Sequence, residues 1–226
     1  EIHWRDWSSD VCSSDLACTW SGGACTIVVE CHFEQARGRY RHDVAIFVSR
    51  GDQSLLWSNL KIAVAEVASL SERRIDRLID PRVSELPACL AENPGLESGY
   101  MIAQYTAASL VSENKSLAHP ASVDSIPTGA GIEDHVSMAP IVGRHARRIV
   151  ENAANVVALE LLCACRALEF RRPLRAGAGS EMLYGQVRRI AAAPEGDRPI
   201  SGPCEAVARW VLSGAPVTLA EEVLES

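Results

Sequence analysis

A chain of 226 residues with 47% hydrophobic and 23% charged residues is long enough to bury a core and has the composition of a globular protein. The net charge of −7 argues against nucleic acid as a partner. No apolar run reaches about 18 residues, so no transmembrane helix is predicted. The N-terminus, EIHWRDWSSD, lacks the basic and apolar regions of a secretory signal. We therefore expect a cytoplasmic protein with no membrane partner.

The first 58 residues differ in character from the rest of the chain. They hold four of the five tryptophans and show no sustained periodicity, apart from a strand-like stretch over 24–30. Residues 6–16, DWSSDVCSSDL, look like the conceptual translation of a sequencing adapter, so residues 1–16 are expected to be an assembly artefact. Residues 17–58 receive no domain assignment, because a shifted reading frame would explain their composition.

The eight cysteines fall into two groups. A zinc or disulfide framework is the less favoured interpretation of the first group, because spacings of six, seven and six are not the short pairs typical of structural zinc sites. That group comprises Cys12, Cys18, Cys25 and Cys31. The second group is predicted to consist of small buried hydrophobic residues. It comprises Cys89, Cys163, Cys165 and Cys204. No metal site is predicted.

From residue 59 onward the sequence predicts helices. Apolar residues recur at helical spacing through NLKIAVAEVASLSERRIDRLID, and Pro81 ends that helix. Ser98 is the predicted N-cap of a second helix that runs from Tyr100 to Leu117. Shorter helices are predicted at the C-terminal end, over 181–193, 205–212 and 219–224.

The longest periodic segment covers residues 134–172. As one helix it would span about 60 Å at 1.5 Å per residue. Pro140 is expected to kink this helix or to mark a short first turn. Because the length exceeds that of a compact 226-residue domain, the helix is expected to pack in an oligomeric bundle.

A polar loop separates the second helix from the long helix. Pro127, Gly129 and Gly131 punctuate it, and the chain is expected to re-enter helix near Glu133 and Asp134. Carboxylates at a helix start are favoured by capping and by the helix dipole. Chemistry alone therefore favours a capping role for Glu133 and Asp134 over a carboxylate that binds or deprotonates a substrate.

The remaining polar residues make no recognised site. Asn114, Lys115 and His119 fall on or near one helical face and Asp124 follows, but no Ser or Cys on a strained turn completes a nucleophilic triad. His119 and His135 are sixteen residues apart, which is no recognised zinc spacing. Six arginines are predicted to form a solvated or intersubunit helix face rather than a phosphate site: Arg144, Arg147, Arg148, Arg171, Arg172 and Arg175.

Several uninterrupted motifs resemble a known family. SGYMIAQYTAASLVSENKSLAHPASVDS and EDHVSMAP closely resemble the C-terminal half of the histidine ammonia-lyases, within the aromatic amino acid lyase family. SERRIDRLID and ENAANVVALELLCACRALEFRR are similar to two helices of that family. The likeness covers residues 59–213 and keeps the family's order. It implies a mainly α fold with a long-helix bundle, as in the aromatic amino acid lyase and fumarase-like superfamily, truncated here to a C-terminal helical portion over 59–226.

The resemblance also implies a reaction and a prosthetic group. The family members remove ammonia from L-histidine and give trans-urocanate, in a homotetramer whose active sites each draw on three subunits. Their electrophile is 4-methylideneimidazole-5-one (MIO), which forms from an internal Ala-Ser-Gly that this sequence lacks. No cofactor-binding residue is therefore assigned, and the chain alone is expected to be inactive.

Two residues carry over from the family's motifs. Glu133 matches the active-site glutamate of QEDHVSM and is expected to be catalytic and substrate-binding. Met101 matches the methionine of SGFMIAQ and is expected to be substrate-binding. Phenylalanine ammonia-lyases have glutamine and lysine at these two places, so this pair favours histidine, whose imidazole or amine can donate a hydrogen bond to a carboxylate.

Two departures keep other functions open. Ile132 stands where the family usually has glutamine, and TGAG at residues 128–131 replaces TSAN. A related MIO-type lyase or aminomutase that acts on another aromatic amino acid is therefore an alternative. A non-catalytic helical oligomerisation module is the other alternative, because this chain lacks the precursor of the prosthetic group.

Overall fold

The computed structural model describes the backbone of residues 2–3, 12–21, 24–35, 38–48, 53–133, 136, 138–194 and 196–225, and the side chains of residues 57–133, 136, 138–194 and 196–221. The chain divides into two compact units. One comprises residues 1–63 and 119–146, and the other comprises residues 64–118 and 147–226.

An antiparallel sheet occupies the N-terminal part of the chain. Its strands are β1 (Ile2–His3), β2 (Cys12–Ser21), β3 (Ala24–Gln35) and β4 (Gly38–Val48). They pair in sequence order, with Thr19 opposite Thr26 and Ile27 opposite Ile46. The strand predicted over 24–30 is confirmed within β3, whose β-branched residues favour extended backbone. The other strands are not predicted, because serine, aspartate and glycine interrupt their apolar pattern.

Two expectations about this part of the chain are left as predictions. The adapter interpretation of residues 1–16 and the open assignment of residues 17–58 concern the origin of the sequence, which the backbone pairing does not test. The side chains of the four N-terminal cysteines lie outside the described residues, so their pairing stays open as well.

Helices make up most of the rest. They are α1 (Gln53–Ile79), α2 (Pro81–Ser84), α3 (Met101–Leu117), α4 (Ala139–Phe170), α5 (Ala178–Ile190), α6 (Ser201–Leu212) and α7 (Ala215–Glu225). The prediction of a mainly α chain from residue 59 onward is confirmed. Across the part of the chain described, no helix has both the length and the apolar character needed to cross a bilayer.

The starts of α3 and α4 differ from the prediction. Ser98 is not the N-cap of α3, because Tyr100 holds that position and offers no side-chain cap. α4 begins at Ala139 rather than at residue 134. The carbonyl of Met138 accepts hydrogen bonds from the amides of Ile141 and Val142 at 3.0 and 3.1 Å and so opens the first turn. Pro140 lies within that turn, where its missing N–H would have no intrahelical partner anyway.

Residues of α4 form the centre of the hydrophobic core in the unit of residues 64–118 and 147–226. Val156, Leu159 and Leu162 are at most 2% exposed and belong to one cluster with Ile75 of α1 and Val111 of α3. Complete burial of one such side chain contributes about 1.5–3 kcal/mol to folding. The spacing of these apolar residues along α4 therefore accounts for much of the stability of this unit.

Three of the four C-terminal cysteines belong to the same core. Cys163, Cys165 and Cys204 are buried and free, which confirms the prediction of small buried hydrophobic residues, whereas Cys89 is partly exposed. Burial raises the pKa of Cys165 and of Cys204 to about 11. It raises the pKa of Cys163 further. These thiols are therefore protonated at neutral pH and serve as packing groups.

The six arginines that were assigned to a solvated face are all exposed. Arg147 and Arg148 lie on α4, where Nε of Arg147 is 3.0 Å from Oε1 of Glu151 and Nε of Arg148 is 3.3 Å from Oε1 of Glu113. Such exposed pairs contribute little to stability. Arg171, Arg172 and Arg175 follow α4, which ends at Phe170, so the prediction of a helix face is wrong for these three. A solvated or intersubunit role stays a prediction.

The turn before α3 depends on a glycine. Gly99 has φ of +54°, and a Cβ atom there would lie 2.5 Å from the carbonyl oxygen of Cys89. That carbonyl accepts a hydrogen bond from the amide of Tyr100 at 2.8 Å, so it is held in place. The backbone of residues 98–100 therefore has room for glycine only.

We predict that Gly99→Ala destabilises the chain. The left-handed conformation alone costs about 1–2 kcal/mol for a residue with a Cβ atom, and displacement of the Cys89 carbonyl adds to this cost. Gly185→Ala in α5 is the matched control, because its Cβ would meet nothing within 4 Å, and a helical alanine is more stable by about 0.5–1 kcal/mol. Urea unfolding of both variants measures the difference. Equal stability of the two variants would contradict this account of the turn.

Candidate active site

The loop that carries Glu133 closes on itself. Thr128 and Glu133 form an antiparallel bridge in which each amide donates to the other residue's carbonyl, at 3.0 and 3.2 Å. Within the bridge, the amide of Gly131 donates to the Thr128 carbonyl at 3.1 Å, and the amide of Ile132 donates to the Gly129 carbonyl at 3.2 Å. The six residues 128–133 thus satisfy most of their backbone groups among themselves.

Positive φ angles make this tight turn possible. Gly129 has φ of +61°, Ala130 of +56° and Gly131 of +88°. The two glycines adopt this region without penalty, whereas Ala130 pays a conformational cost. The departure TGAG from the family's TSAN therefore falls at residues whose backbone is left-handed.

Glu133 presents its carboxylate at the end of this turn. The hydroxyl of Thr128 donates to Oε2 at 2.6 Å, and the residue is exposed. Among the described side chains, no cation forms an ion pair with Glu133. One carboxylate oxygen is therefore oriented by Thr128, and Oε1 is available to a donor from outside the loop.

The capping interpretation of Glu133 is wrong. α4 begins at Ala139, so Glu133 precedes the helix and its own amide and carbonyl are used in the bridge with Thr128. The misprediction arises because a carboxylate pair next to a periodic segment has the same pattern whether it caps the helix or lies in a turn before it. Asp134 and His135 lie outside the described residues.

Two contacts from α1 hold the segment that leads into this loop. Oγ of Ser58 donates to Oγ of Ser122 at 3.0 Å, and Nζ of Lys61 donates to the carbonyl oxygen of His119. Both α1 residues are at most 2% exposed. Sequence reasoning missed Lys61, because a single lysine in an amphipathic helix is expected on the solvated face.

The environment of Lys61 is unfavourable to its charge. Burial lowers the pKa of Lys61. His145 on α4 is close enough for the charge of Lys61 to act on it, and burial first, then Lys61 and Arg144, lower the pKa of His145. Nδ1 of His145 is buried and has no hydrogen-bond partner among the described atoms. This region therefore favours neutral side chains.

Met101 is the first residue of α3 and belongs to the other unit. Its side chain is partly buried, whereas its neighbour Ile102 is 53% exposed and Tyr105 one turn later is 61% exposed. The opposite face of α3, with Ala103, lies in the core. Met101 therefore lies at the border between the core and an apolar outer face.

Asn114 is a buried structural residue rather than part of a triad. Its Oδ1 accepts a hydrogen bond from Nδ2 of Asn152 at 2.9 Å, and the same Nδ2 donates to Oε2 of Glu113 at 2.8 Å. The Asn152 contact and then Arg148 lower the pKa of Glu113. Lys115, by contrast, is exposed, so the expectation that it shares a face with Asn114 is wrong.

The described part of the chain also lacks a metal centre. No group of three or more His, Cys, Asp or Glu side chains is placed to hold an ion there. His119 is exposed and takes part through its backbone carbonyl, and Asp124 is exposed as well. Among the described residues, the polar loop with Glu133 is thus the best candidate for a catalytic or binding site.

The profile of the aromatic amino acid lyase family matches residues 53–189, which is more than half of the chain. The chain belongs to the aromatic amino acid lyase family. The match includes both Met101 and Glu133, and the family resemblance of their motifs is therefore supported over a continuous region.

Individual members of the lyase family give the same picture. The chain is 56% identical over 153 residues to histidine ammonia-lyase of Geobacillus kaustophilus, an alignment that covers 67% of this chain and 30% of that protein. It is similar in structure to histidine ammonia-lyase from Trypanosoma cruzi, with a TM-score of 0.71 and 39% identity over 82% of this chain and 37% of that one. It is also similar to the phenylalanine aminomutase of Pantoea agglomerans, with a TM-score of 0.68 and 32% identity over 75% and 34% of the two chains.

The chain thus spans about a third of the length of the relatives that it matches. The mainly α fold predicted from the resemblance is confirmed by these structural similarities.

We predict that Lys61 makes the stability of the chain rise with pH in the alkaline range. Its pKa is lower in the folded state than in the unfolded state, so between these two values the unfolded chain binds more protons and the free energy of unfolding increases with pH. Lys61→Met removes this increase. Lys115→Met is the matched control, because Lys115 is exposed and is the only other lysine. Urea unfolding at several pH values between about 8 and 10.5 tests this, since an unfolded lysine titrates near 10.4. A Lys61→Met slope identical to that of the Lys115→Met variant would disprove it.

Proposed function

We propose that this chain is the C-terminal part of an ammonia-lyase that removes ammonia from L-histidine and gives trans-urocanate. The observation that carries the proposal is the 56% identity to a histidine ammonia-lyase, in a family match that includes the Met101 and Glu133 motifs. The carboxylate of Glu133 supports it on chemical grounds, because Thr128 orients it and no described side chain forms an ion pair with it. A cytoplasmic location stays a prediction from the sequence.

Glu133 is assigned the catalytic role in this proposal. Thr128 holds Oε2, so Oε1 can accept a hydrogen bond from the imidazole N–H or from the amino group of the substrate. A carboxylate within hydrogen-bond reach of a substrate proton can also accept that proton as a general base. The short Thr128 contact keeps the carboxylate in one orientation, which reduces the entropy that is lost when the substrate binds.

Met101 is assigned to the substrate-binding wall. Its thioether is polarizable and makes favourable contacts with ring edges, worth about 0.3–1.5 kcal/mol. Its place at the border of the core leaves part of the side chain accessible. An uncharged wall of this kind suits an aromatic ring such as imidazole.

The prosthetic group of the proposed enzyme has no precursor in this chain. MIO supplies the electrophile of the family, and the sequence contains no Ala-Ser-Gly from which it forms. The 226 residues therefore do not fit an MIO site by themselves, and we assign them no step on that group. The electrophile has to come from polypeptide outside these residues.

A homotetramer is proposed for the complete protein. In the unit of residues 64–118 and 147–226, several apolar side chains on three helices are exposed by 37–61%: Val67, Ile102, Tyr105 and Val150. Exposed apolar groups on several helices are typical of a surface that other chains cover. Sister subunits and the remainder of the polypeptide would cover them, in agreement with the bundle expected for α4.

An aminomutase is the second candidate. Ile132 replaces the family's glutamine next to Glu133 in the sequence and is 88% exposed, so the residue that precedes the carboxylate is apolar and accessible. The similarity to the phenylalanine aminomutase of Pantoea agglomerans supports this alternative. The two candidates differ in product, since a lyase releases ammonia whereas a mutase gives a β-amino acid.

We predict that the purified chain alone produces no urocanate from L-histidine, because it lacks the electrophile. A chimera that joins the N-terminal part of the Geobacillus kaustophilus enzyme to residues 53–226 is expected to give urocanate, measured by ultraviolet absorbance. Turnover by the chain alone would contradict the first expectation. A β-amino acid product would favour the mutase, and a tetrameric but inactive chimera would favour the oligomerisation module.

We predict that Glu133→Ala in this chimera lowers kcat/KM for histidine by about 10²–10⁴-fold, the range for loss of a general acid–base group. Glu205→Gln is the control, because Glu205 lies exposed on α6 and is 4.0 Å from its partner Arg209. It should leave kcat/KM unchanged. Thr128→Val should give an intermediate loss, since it removes only the contact to Oε2. Full activity of Glu133→Ala would overturn the assignment.

A further inference from the structure

The carboxylate of Asp197 forms hydrogen bonds with the turn in front of α3. Asp197 lies in the loop between α5 and α6. Its Oδ2 accepts a hydrogen bond from the amide of Ser98 at 2.7 Å, and its Oδ1 accepts one from the amide of Gly99 at 2.8 Å. One side chain thus satisfies two backbone donors that lie 99 and 98 residues earlier in the sequence.

This contact lies in front of α3, because Ser98 and Gly99 precede the N-cap residue Tyr100. Tyr100 itself makes no side-chain capping hydrogen bond. A carboxylate near the start of a helix also complements the helix dipole. Asp197 therefore stabilises the turn that leads into α3 rather than the first turn of the helix.

The neighbouring carboxylate cannot take its place. Oε2 of Glu97 accepts hydrogen bonds from the amides of Glu92 and Asn93, both at 3.1 Å, and Oε1 accepts one from Nδ2 of Asn93 at 3.2 Å. The contact with Asn93 lowers the pKa of Glu97, so this carboxylate is charged and fully engaged in the preceding turn. Asp197 is therefore the side chain that fixes residues 98 and 99.

The fixed turn determines where Met101 lies. The amide of Met101 donates to the carbonyl of Ser98 at 3.2 Å. Between these two residues, Gly99 lies against Cys89, and Tyr100 is only 4% exposed. A shift of the Ser98 amide therefore moves Met101 with it, because the intervening residues are too tightly packed to absorb the displacement.

We propose that Asp197 is a positioning residue for the substrate: it holds the Ser98–Gly99 turn and thereby sets the place of Met101 in the binding wall. The inference rests on the proposed function, since it gives Met101 a substrate to contact. The hydrogen bonds that Asp197 accepts from Ser98 and Gly99 involve backbone amides, so its proposed effect on the reaction passes through Met101.

A double-mutant cycle in the chimera tests this role. Asp197→Ala is expected to raise KM for histidine about tenfold with a smaller change in kcat, because binding rather than chemistry depends on Met101. In a Met101→Ala background the same substitution should change KM less than twofold. Coupling of this kind is expected only for residues that act through each other. Additive effects of the two substitutions would overturn the inference.

A matched control distinguishes an effect on Met101 from the general loss of a carboxylate that accepts a hydrogen bond from backbone. Asp80 accepts a hydrogen bond from the amide of Arg82 at 2.9 Å and so caps α2, a helix that does not contain Met101. Asp80→Ala should leave KM unchanged. Asp197→Asn should raise KM less than Asp197→Ala does, because the amide oxygen can still accept one hydrogen bond. An equal rise in KM for Asp80→Ala would count against the proposal.

Hydrogen exchange in the 226-residue chain tests the contact without any activity. Asp197→Ala should speed exchange of the Ser98 and Gly99 amides at least tenfold and leave the amide of Val111 in α3 unchanged. Unchanged exchange at residues 98 and 99 would overturn the proposal. If the chimera without substitutions is inactive, the proposed function is overturned, and with it the substrate role of Asp197. The exchange experiment still tests the contact between Asp197 and the Ser98 and Gly99 amides.

Discussion

Backbone groups in front of α3 and in the loop after it need hydrogen-bond partners, and this requirement shapes the turn before Met101 and the segment that leads to Glu133. Asp197 satisfies the amides in front of Met101, and Lys61 satisfies the carbonyl of His119 beyond α3. These backbone groups are exposed or partly buried, so the side chain takes the place of water and fixes the backbone at that position. The polar residues that matter for this fold are therefore those that reach backbone from another element.

The core and the site place different demands on the sequence. In the core, small and branched residues of α4 and its neighbours need only suitable volume and spacing, so Cys163 serves as well as another small hydrophobe. At the loop of Glu133, a left-handed backbone, a bridge and a hydroxyl contact must coincide to present one carboxylate oxygen. Substitutions are therefore expected to be tolerated more readily in the helices than at residues 128–133.

The sequence alone predicts the helices well, since their apolar periodicity is long and regular. The predicted start of α4 is wrong, because a carboxylate pair next to an apolar periodic segment can either cap the helix or lie in a turn before it. The sequence also holds no sign of the Asp197 contact, because local spacing carries no information about a partner 98 residues away. For Glu133, elementary chemistry favours a cap, and only the order of motifs indicated a site residue. The structure removes the cap interpretation, and the assignment to the substrate stays a proposal.

The two site segments also differ in when their geometry becomes available during synthesis. The Thr128–Glu133 bridge closes over six residues, and such local contacts form quickly and at little entropic cost. The turn in front of Met101 is complete only after residue 197 has been made, because its two acceptors lie on Asp197. The loop of Glu133 can therefore take shape before residue 197 has been made. The turn in front of Met101 acquires its acceptors only afterwards.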